Sequence, residues 1–250
     1  MAKCKRSAAR ALDWLVGEDA EVVAVVAGEP DDFTHDEQRV DLAAERHGLT
    51  LVSYEELSVA PPQDVDLVIS FLFWKRIREP VLSLGRSGCL NFHPAPLPDI
   101  RGLGGYNVAV LDGMSEWGVS CHFVDADFDT GDLVEVERFP IDPDTATALS
   151  VDIDSQEHLF GLFRRVMRRA LAGEELPRTP QGPGRYVSRE EFESLRRVQP
   201  GDDVERKLRA FWYPPYPGAV IEVDGHDLTL VGDRLLADVA HVYLDAGLVP

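Results

Sequence analysis

Long apolar runs and cysteine pairs are both missing from this 250-residue chain. No stretch approaches the roughly 18–20 consecutive apolar residues that a membrane-spanning helix needs, so no membrane association is expected. The first residues, MAKCKRSAARALDWL, contain no continuous apolar core, and no secretory signal is predicted. Cys4, Cys89 and Cys121 show neither CxxC nor metal-ligand spacing. They are predicted to be reduced thiols of a cytoplasmic protein.

Positive charge is also scarce. Lysine and arginine number 25 against 44 aspartates and glutamates, which gives a net charge of −19. Such a field repels a polyanion such as tRNA unless one face is locally basic. It favours solubility and is tolerable where salt screens self-repulsion, as in a high-salt cytoplasm. Hydrophobic residues make up 44% of the chain, enough for a folded core, so disorder throughout is excluded.

The first half of the chain alternates strand-like and helix-like segments. The strand-like segments are EVVAVVAG, DLVISFLF, GCLNFH, GVSCHFVDA and LVEVERFPI, and the helical ones are SAARALDWLV, HDEQRVDLAAERHG and GYNVAVLDG. Near-continuous Val, Ile and Leu runs between helices predict a mostly parallel sheet covered on both faces, that is, a Rossmann-like α/β fold. The first strand of such a fold is either missing or too short to recognise in MAKC.

The second half begins with the most regular helical pattern of the chain, from Ser155 to Gly173. Ser155 is the predicted N-cap and Gly173 the predicted stop. The proline-rich ELPRTPQGPGRY follows as a linker or a surface strap. Helical REEFESL and DVERKLRAF and strand-like GAVIEV, HDLTLVG and DVAHVYL then predict a small α+β appendage. We therefore expect a catalytic domain over 1–175 and a linker with a small C-terminal subdomain over 176–250.

Two polar side chains end the apolar run GCLNFH. Ligands gather at the carboxyl ends of parallel strands, and strand alternation places Asn91 and His93 on the same side. Pro94, Pro96 and Pro98 hold the following loop extended and rigid, as preorganised hydrogen-bond donors require. The alternative is a polar strand end capped by a proline loop.

A cluster of acids follows the next alternating strand, in DADFDTGDLVEV. It fits an ordinary turn, and the spacing of a calcium-binding EF-hand loop is absent. Asp129 lies 36 residues after His93, which is enough for one helix and one strand to return the chain to the same sheet edge.

Together these motifs resemble the folate-dependent formyltransferase family. NFHPAPLPDIRG followed by WGVSCHFVDADFDTGDLV matches its Asn-x-His-Pro, Leu-Pro-x-x-Arg-Gly, Gly-Val-Ser-x-His and Asp-Thr-Gly-Asp motifs in order. The resemblance covers roughly Glu21 to Gly173, and RAFWYPPYPGAVIEV is similar to the element after the catalytic domain in tRNA and sugar formyltransferases.

The resemblance implies a formyltransferase fold, 10-formyltetrahydrofolate as formyl donor and a catalytic triad of Asn91, His93 and Asp129. Asn91 and His93 are expected to donate hydrogen bonds to the oxyanion that forms when an amine attacks the formyl group. One such donor is typically worth ~3 kcal/mol of barrier. Asp129 is expected to orient His93 and favour its protonated form. The chemistry needs no metal.

The resemblance also implies two sets of binding residues. The family's folate pocket maps onto SFLFWKRI and VDADFD, where we expect contacts from the backbone of Leu72 and Phe73 and from nearby Asp127. Core packing is the alternative for Phe73. Arg101 either binds substrate or braces its loop. Trp212 and Tyr213 either stack on a substrate base or pack in a core, and His122 is expected to be structural, not a base.

The accepting amine is the open question. The tail is short and the chain acidic, so we favour a small-molecule amine, that of a nucleotide-linked amino sugar. The Gly-rich turn that often holds a substrate phosphate in this family has no clear counterpart here. Methionyl-tRNA formyltransferase is the first alternative, a formyltetrahydrofolate deformylase-type hydrolase the second, and a binding module without turnover the third. A homodimer stays open.

Overall fold

A computed structural model describes residues 1–18, 20–233 and 236–237. Its helices are α1 Arg6–Gly17, a 3₁₀ turn Asp36–Gln38, α2 Val40–Arg46, α3 Tyr54–Val59, α4 Gly105–Leu111, α5 Ala148–Leu171, α6 Arg189–Arg196 and α7 Val204–Ala210. Its strands are β1 Val68–Phe71, β2 Cys89–His93, β3 Ile100–Gly102, β4 Glu116–Phe123, β5 Leu133–Pro140, β6 Arg185–Val187, β7 Val220–Val223 and β8 His226–Thr229. The predicted segment EVVAVVAG forms only isolated bridges, at Val25 and Ala27, and the other predicted elements are present where described. Elements α3, β3 and β6 were not foreseen, and the predicted strand DVAHVYL lies outside the described residues.

The main sheet has the strand order β1-β2-β4-β5. β1 and β2 are parallel, and β4 runs antiparallel to β2. Beyond β1 the sheet continues through isolated parallel bridges, Ala2 with Phe71, Ala2 with Ala27, and Val25 with Leu51. The α/β fold with a mostly parallel sheet is therefore confirmed.

The first strand of this sheet is short. Ala2 donates its N–H to the Val26 carbonyl at 2.9 Å, and Phe71 donates to the Met1 carbonyl at 2.9 Å. The first residues thus lie between the 25–27 segment and β1, hydrogen-bonded on both sides. The adjacent segments hold these residues in an extended conformation; their own strand propensity is too weak to do so. The sequence therefore shows no strand pattern at this position.

The chain forms two compact units. The first contains residues 1–102, 118–139 and 153–186, and the second contains 103–117, 140–152 and 187–250. The predicted boundary between residues 175 and 176 thus falls inside the first unit. The reason is that the strap is hydrogen-bonded there: Leu133 and Thr179 exchange backbone N–H···O bonds of 2.8 and 3.0 Å, and Arg185 donates to the Asp99 carbonyl at 2.9 Å.

Helix α5 begins seven residues earlier than its predicted N-cap, at Ala148 instead of Ser155. The capping interactions lie at its observed start, where the Thr147 hydroxyl accepts the Ser150 N–H and the Ser150 hydroxyl accepts the Thr147 N–H. Ser155 is fully buried inside the helix. The predicted end is confirmed, since Gly173 adopts a φ of 74° that favours glycine.

The core of the first unit forms around Phe163 of α5, which is fully buried. Its ring centroid lies 4.9 Å from that of Phe92 in β2 and 5.6 Å from that of Phe71 in β1, with Trp14 of α1 at 5.8 Å. This aromatic cluster packs α5 on the two parallel strands and so supports the strand that carries Asn91 and His93.

The second unit has a small core of its own. Helices α4 and α7 pack together, and the Asn107 side-chain amide donates to the Ala210 carbonyl at 2.7 Å. Gly104 adopts a φ of 64° directly beneath the Phe192 ring, where a Cβ would collide with that ring. The strand-like segments GAVIEV and HDLTLVG form β7 and β8, which pair as an antiparallel hairpin. No helix within the described ranges is long and apolar enough to cross a bilayer.

Replacing Phe163 by Ala should lower the free energy of unfolding by about 3–5 kcal/mol, because the deletion leaves a cavity under both parallel strands. Phe160→Ala, one turn away on the same helix, should cost less, since Phe160 is half-buried and its ring lies 4.2 Å from the Arg10 guanidinium carbon. Urea denaturation of both variants checks this. Equal losses would contradict the central place of Phe163.

Candidate active site

The site begins with three polar residues placed side by side by strand register. Ser70 of β1 is opposite Asn91 of β2, and Asn91 is opposite His122 of β4. All three are buried. A buried polar side chain needs hydrogen-bond partners, and here each supplies one to its neighbour.

The hydrogen bonds fix how the Asn91 amide is turned. Ser70 Oγ donates to Asn91 Oδ1 at 2.7 Å, and Asn91 Nδ2 lies 3.0 Å from His122 Nε2. His122 Nδ1 lies 2.7 Å from the Phe123 carbonyl, which can only accept. Nδ1 therefore carries the hydrogen, and Nε2 accepts one N–H of Asn91. The second N–H of Asn91 points to Asp129 Oδ1 at a loose 3.5 Å.

Asp129 reaches this edge from the loop after β4. Its Oδ1 lies 3.5 Å from His93 Nδ1, and the Gly102 N–H donates to its Oδ2 at 3.4 Å. Asp129 adopts a left-handed φ of 57°. Asp125 shapes the turn before it, accepting from the Thr130 hydroxyl at 2.6 Å. The structure thus brings Asn91, His93 and Asp129 together at one strand end.

Two opposing effects set the charge state of His93. Burial lowers the pKa of His93; the Asp129 carboxylate raises it and His122 lowers it, and burial wins. Burial also raises the pKa of Asp129, but His93, His122 and the Gly102 N–H outweigh it and hold that pKa well below its usual range. At neutral pH Asp129 is ionised and His93 uncharged. Asp129 thus favours the protonated form of His93, as predicted, but burial has the larger effect on the His93 pKa.

A cavity of about 40 Å³ lies against Asn91, His122 and Asp129. Phe73 and Asp127 line it, whereas Leu72 is not among its described lining residues. The Leu72 N–H is already donated to the Phe92 carbonyl at 3.2 Å, with Leu72 itself at a φ of 57°. This bond occupies only the N–H of Leu72, so the predicted contact of its backbone with a pterin stays a prediction. Phe73 also packs on Tyr54, with ring centroids 5.6 Å apart. The same side chain therefore lines the cavity and packs against a neighbouring ring.

Arg76, which sequence reasoning missed, ties together the two loops around the cavity. Its guanidinium donates to Asp127 Oδ1 at 2.7 Å and to the Ala126 carbonyl, and lies 5.7 Å from the centre of the Phe128 ring. Pockets that bury a drug-sized ligand usually hold roughly 300–1,000 Å³. The cavity must therefore widen before it can bury a ligand of that size.

The remaining predicted residues are placed as follows. Arg101 donates through Nη2 to Gln181 Oε1 at 3.0 Å and to the Gly182 carbonyl at 2.9 Å, which is the loop-bracing alternative. Trp212 and Tyr213 belong to the second unit. The Tyr213 hydroxyl donates to the Asp152 carboxylate, and burial with that neighbouring charge raises its pKa. Base stacking by these two rings stays a prediction.

The chain belongs to a known class of proteins. The Formyl transferase family model matches residues 17–166, and the chain belongs to that family. The resemblance drawn from the sequence motifs is thereby confirmed. Neither Ser70 nor Gln181 belongs to the motifs from which the resemblance was drawn, and Gln181 lies beyond the matched residues.

Two kinds of formyltransferase are among the relatives. The chain is 31% identical over 174 residues to GDP-perosamine N-formyltransferase of Brucella melitensis, covering 65% of this chain and 62% of that protein. It is 30% identical over 209 residues to methionyl-tRNA formyltransferase of Sphingopyxis alaskensis, covering 81% of this chain and 66% of that protein. The chain thus spans about two thirds of the length of these relatives.

Among solved structures, an N-formyltransferase from Helicobacter canadensis in complex with folinic acid and dTDP-3-aminofucose has the same fold. Its TM-score is 0.75 at 18% identity, covering 91% of this chain and 84% of that one. At that identity the likeness establishes the formyltransferase fold and no more.

The lowered pKa of His93 has a consequence for stability. Between the ordinary histidine pKa of about 6.5 and the lower folded value, the unfolded chain binds a proton that folded His93 does not, so acidification destabilises the fold. His93→Gln removes this contribution. On going from pH 8 to pH 5.5, the free energy of unfolding should therefore fall more for the wild type than for the variant. A difference that stays constant with pH would contradict the neutral, buried His93.

Proposed function

We propose that this protein transfers the formyl group of 10-formyltetrahydrofolate to the primary amine of a nucleotide-linked amino sugar. The observation that carries the proposal is the convergence of Asn91, His93 and Asp129 at one strand end beside a cavity. Membership of the formyl transferase family supports the reaction type. The perosamine relative and the aminofucose complex support the acceptor class.

Asn91 stabilises the oxygen that gains charge as the amine adds to the formyl carbon. One of its N–H groups is committed to His122, and the other, held only at 3.5 Å by Asp129, is available to that oxygen. Ser70 keeps the amide from turning over, since it occupies Oδ1. A donor aimed in advance needs no reorganisation during the reaction, which is why it accelerates the step.

His93 acts on the proton of the amine. An uncharged ring that directs Nδ1–H toward Asp129 leaves the Nε2 lone pair to accept that proton. Asp129, ionised and nearly buried, stabilises the imidazolium as it forms. His93 then returns the proton, directly or through water, to the nitrogen that leaves. In this proposal His93 accepts a proton, whereas the sequence-based expectation was that it donates a hydrogen bond to the oxyanion.

The residues at the cavity fit a pterin. Phe73 offers an aromatic wall, and the Asp127 carboxylate offers acceptors for amino and ring N–H groups. When bound, the folate supplies the formyl carbon to the edge where Asn91 and His93 lie. Asp127 Oδ1 is paired with Arg76 at 2.7 Å, so a ligand that uses this oxygen shares or displaces that partner.

Methionyl-tRNA is the second candidate acceptor, because the tRNA-formylating relative aligns over 81% of this chain. The net charge of −19 opposes it, since binding a polyanion requires a basic face. A cytoplasmic location is part of the proposal and is supported by the three free cysteines, two of them buried.

The acceptor is tested by incubating the protein with 10-formyltetrahydrofolate and one acceptor at a time, following release of tetrahydrofolate. The acceptors are GDP-, dTDP- and UDP-linked amino sugars, methionyl-tRNA, and water alone. We expect turnover with at least one amino sugar and background rates with the others. Release with water alone would indicate a hydrolase, and release with methionyl-tRNA only would overturn the acceptor class.

Removing the Asn91 amide tests the oxyanion role. Asn91→Ala should lower kcat by about 100- to 1,000-fold, as loss of one preorganised donor does elsewhere, with a smaller change in KM for the donor. Asn91→Asp keeps the size of the side chain but removes its N–H groups, and should be equally impaired. Stopped-flow and steady-state rate measurements on the folded variants check this. A kcat near that of wild type in either variant would exclude the role.

A further inference from the structure

We propose that Gln181, in the proline-rich strap of residues 175–186, is a positioning residue that fixes Asp129 against His93. The inference deepens the proposed function and rests on it for its catalytic meaning. Gln181 Nε2 donates to the main-chain carbonyl of Asp129 at 3.1 Å and to that of Gly131 at 2.6 Å. One side-chain amide thus spans the turn that carries the carboxylate.

The turn needs such support because of its backbone. Asp129 has a φ of 57°, a left-handed conformation that is unfavourable for a residue with a Cβ and persists only where the surroundings impose it. Gly131 follows, where a Cβ would meet the Phe123 carbonyl at 1.9 Å, so the chain is pressed closely against β4. Asp125 holds one side of the turn through Thr130, and Gln181 holds the other.

Arg101 determines which way the Gln181 amide faces. Its Nη2 donates to Gln181 Oε1 at 3.0 Å, which leaves the amide nitrogen toward the Asp129 turn. If the amide were flipped, its NH₂ group would face the Arg101 guanidinium, donor against donor. Its oxygen would face the Asp129 and Gly131 carbonyls, acceptor against acceptor. Arg101, expected to bind substrate or brace a loop, is thus the second member of this brace.

The strap itself is held in register on both sides of Gln181. Thr179 is hydrogen-bonded in both directions to Leu133, and Arg185 donates to the Asp99 carbonyl. At Gly184 a Cβ would lie 1.6 Å from the Pro98 carbonyl oxygen, so only glycine permits this approach. A segment anchored at two points presents Gln181 at a fixed place.

The consequence is a site assembled from two parts of the chain. Asn91, His93 and Asp129 lie within residues 17–166, which match the family model, whereas Gln181 lies beyond them. Displacing the Asp129 carboxylate changes its 3.5 Å separations from His93 and from Asn91 together. Gln181 therefore acts on the reaction through Asp129, with no contact to the reacting atoms required.

The test uses Gln181→Met, which keeps the length of the side chain and its neutrality but cannot donate. Gln63→Glu and Gln63→Met are controls at an exposed position of the same unit. We expect Gln181→Met to lower kcat about tenfold to a hundredfold, as misplacement of a catalytic group does, with KM for donor and acceptor nearly unchanged. The controls should keep wild-type kinetics.

A double-mutant cycle with Asp129→Asn separates positioning from general damage. If Gln181 acts through Asp129, Gln181→Met should cause little further loss of kcat in the Asp129→Asn background. Equal loss in both backgrounds would overturn the proposal, because the residue would then affect the rate independently of Asp129.

A readout free of catalysis keeps this inference separate from the proposed function. His93 is followed by NMR titration of its ring signals in the full chain, assigned by their loss in His93→Gln. The Asp129 carboxylate raises the His93 pKa. Removing it in Asp129→Asn, or displacing it in Gln181→Met, should therefore shift the His93 titration to lower pH. Gln63→Met should leave the titration unchanged. An unshifted Gln181→Met titration refutes positioning. A shifted one supports it even if every amine tested proves inert, in which case the proposed function alone fails.

Discussion

The site depends on keeping an ionised carboxylate in a place where water scarcely reaches it. The Asp129 side chain is only 13% exposed, and burial by itself would favour its protonated form. Each neighbour compensates for part of that cost: the Gly102 N–H, the Asn91 amide and the His93 ring all point at the same two oxygens. Their geometry is therefore constrained by the anion as much as by any substrate. The same buried surroundings keep His93 uncharged, so a single environment yields a fixed anion beside a ring that is free to take up a proton.

The register of the central strands converts this local requirement into a property of the fold. Ser70, Asn91 and His122 stand opposite one another because β1, β2 and β4 are adjacent and aligned. A slip of one residue in β2 would turn Asn91 and His93 to the other face of the sheet. The aromatic cluster around Phe163 packs on the opposite side of β1 and β2 and opposes such a slip. Core packing and catalytic geometry thus rely on the same strand alignment.

The sequence predicted those parts of the site that follow from chain order. Asn91 and His93 could be placed at a strand end from alternation, and Asp129 at the same edge from its 36-residue distance. The charge of His93 could not be predicted, because burial is a tertiary property that outweighed the neighbouring carboxylate. Ser70 carries no signal of its own, since a serine in an apolar strand becomes meaningful only once its cross-strand neighbour is known. Gln181 sits in a proline-rich segment whose composition indicates a linker, and nothing in its pattern shows that the segment returns to the site.

The catalytic residues and the residues at the cavity surface are held in place by different kinds of interaction. Asn91 is fixed from both sides by buried hydrogen bonds within the sheet, and Asp129 is fixed by the strap. Arg76 and Asp127, which line the cavity, instead lie at the surface, with side chains 38% and 78% exposed. An ion pair so exposed contributes little to stability, since water and salt compete with it. Separating this pair is therefore inexpensive, while moving the triad is not. The wall of the cavity can adjust at this surface pair without disturbing the buried groups, and a preorganised site that must also admit a large donor requires this division.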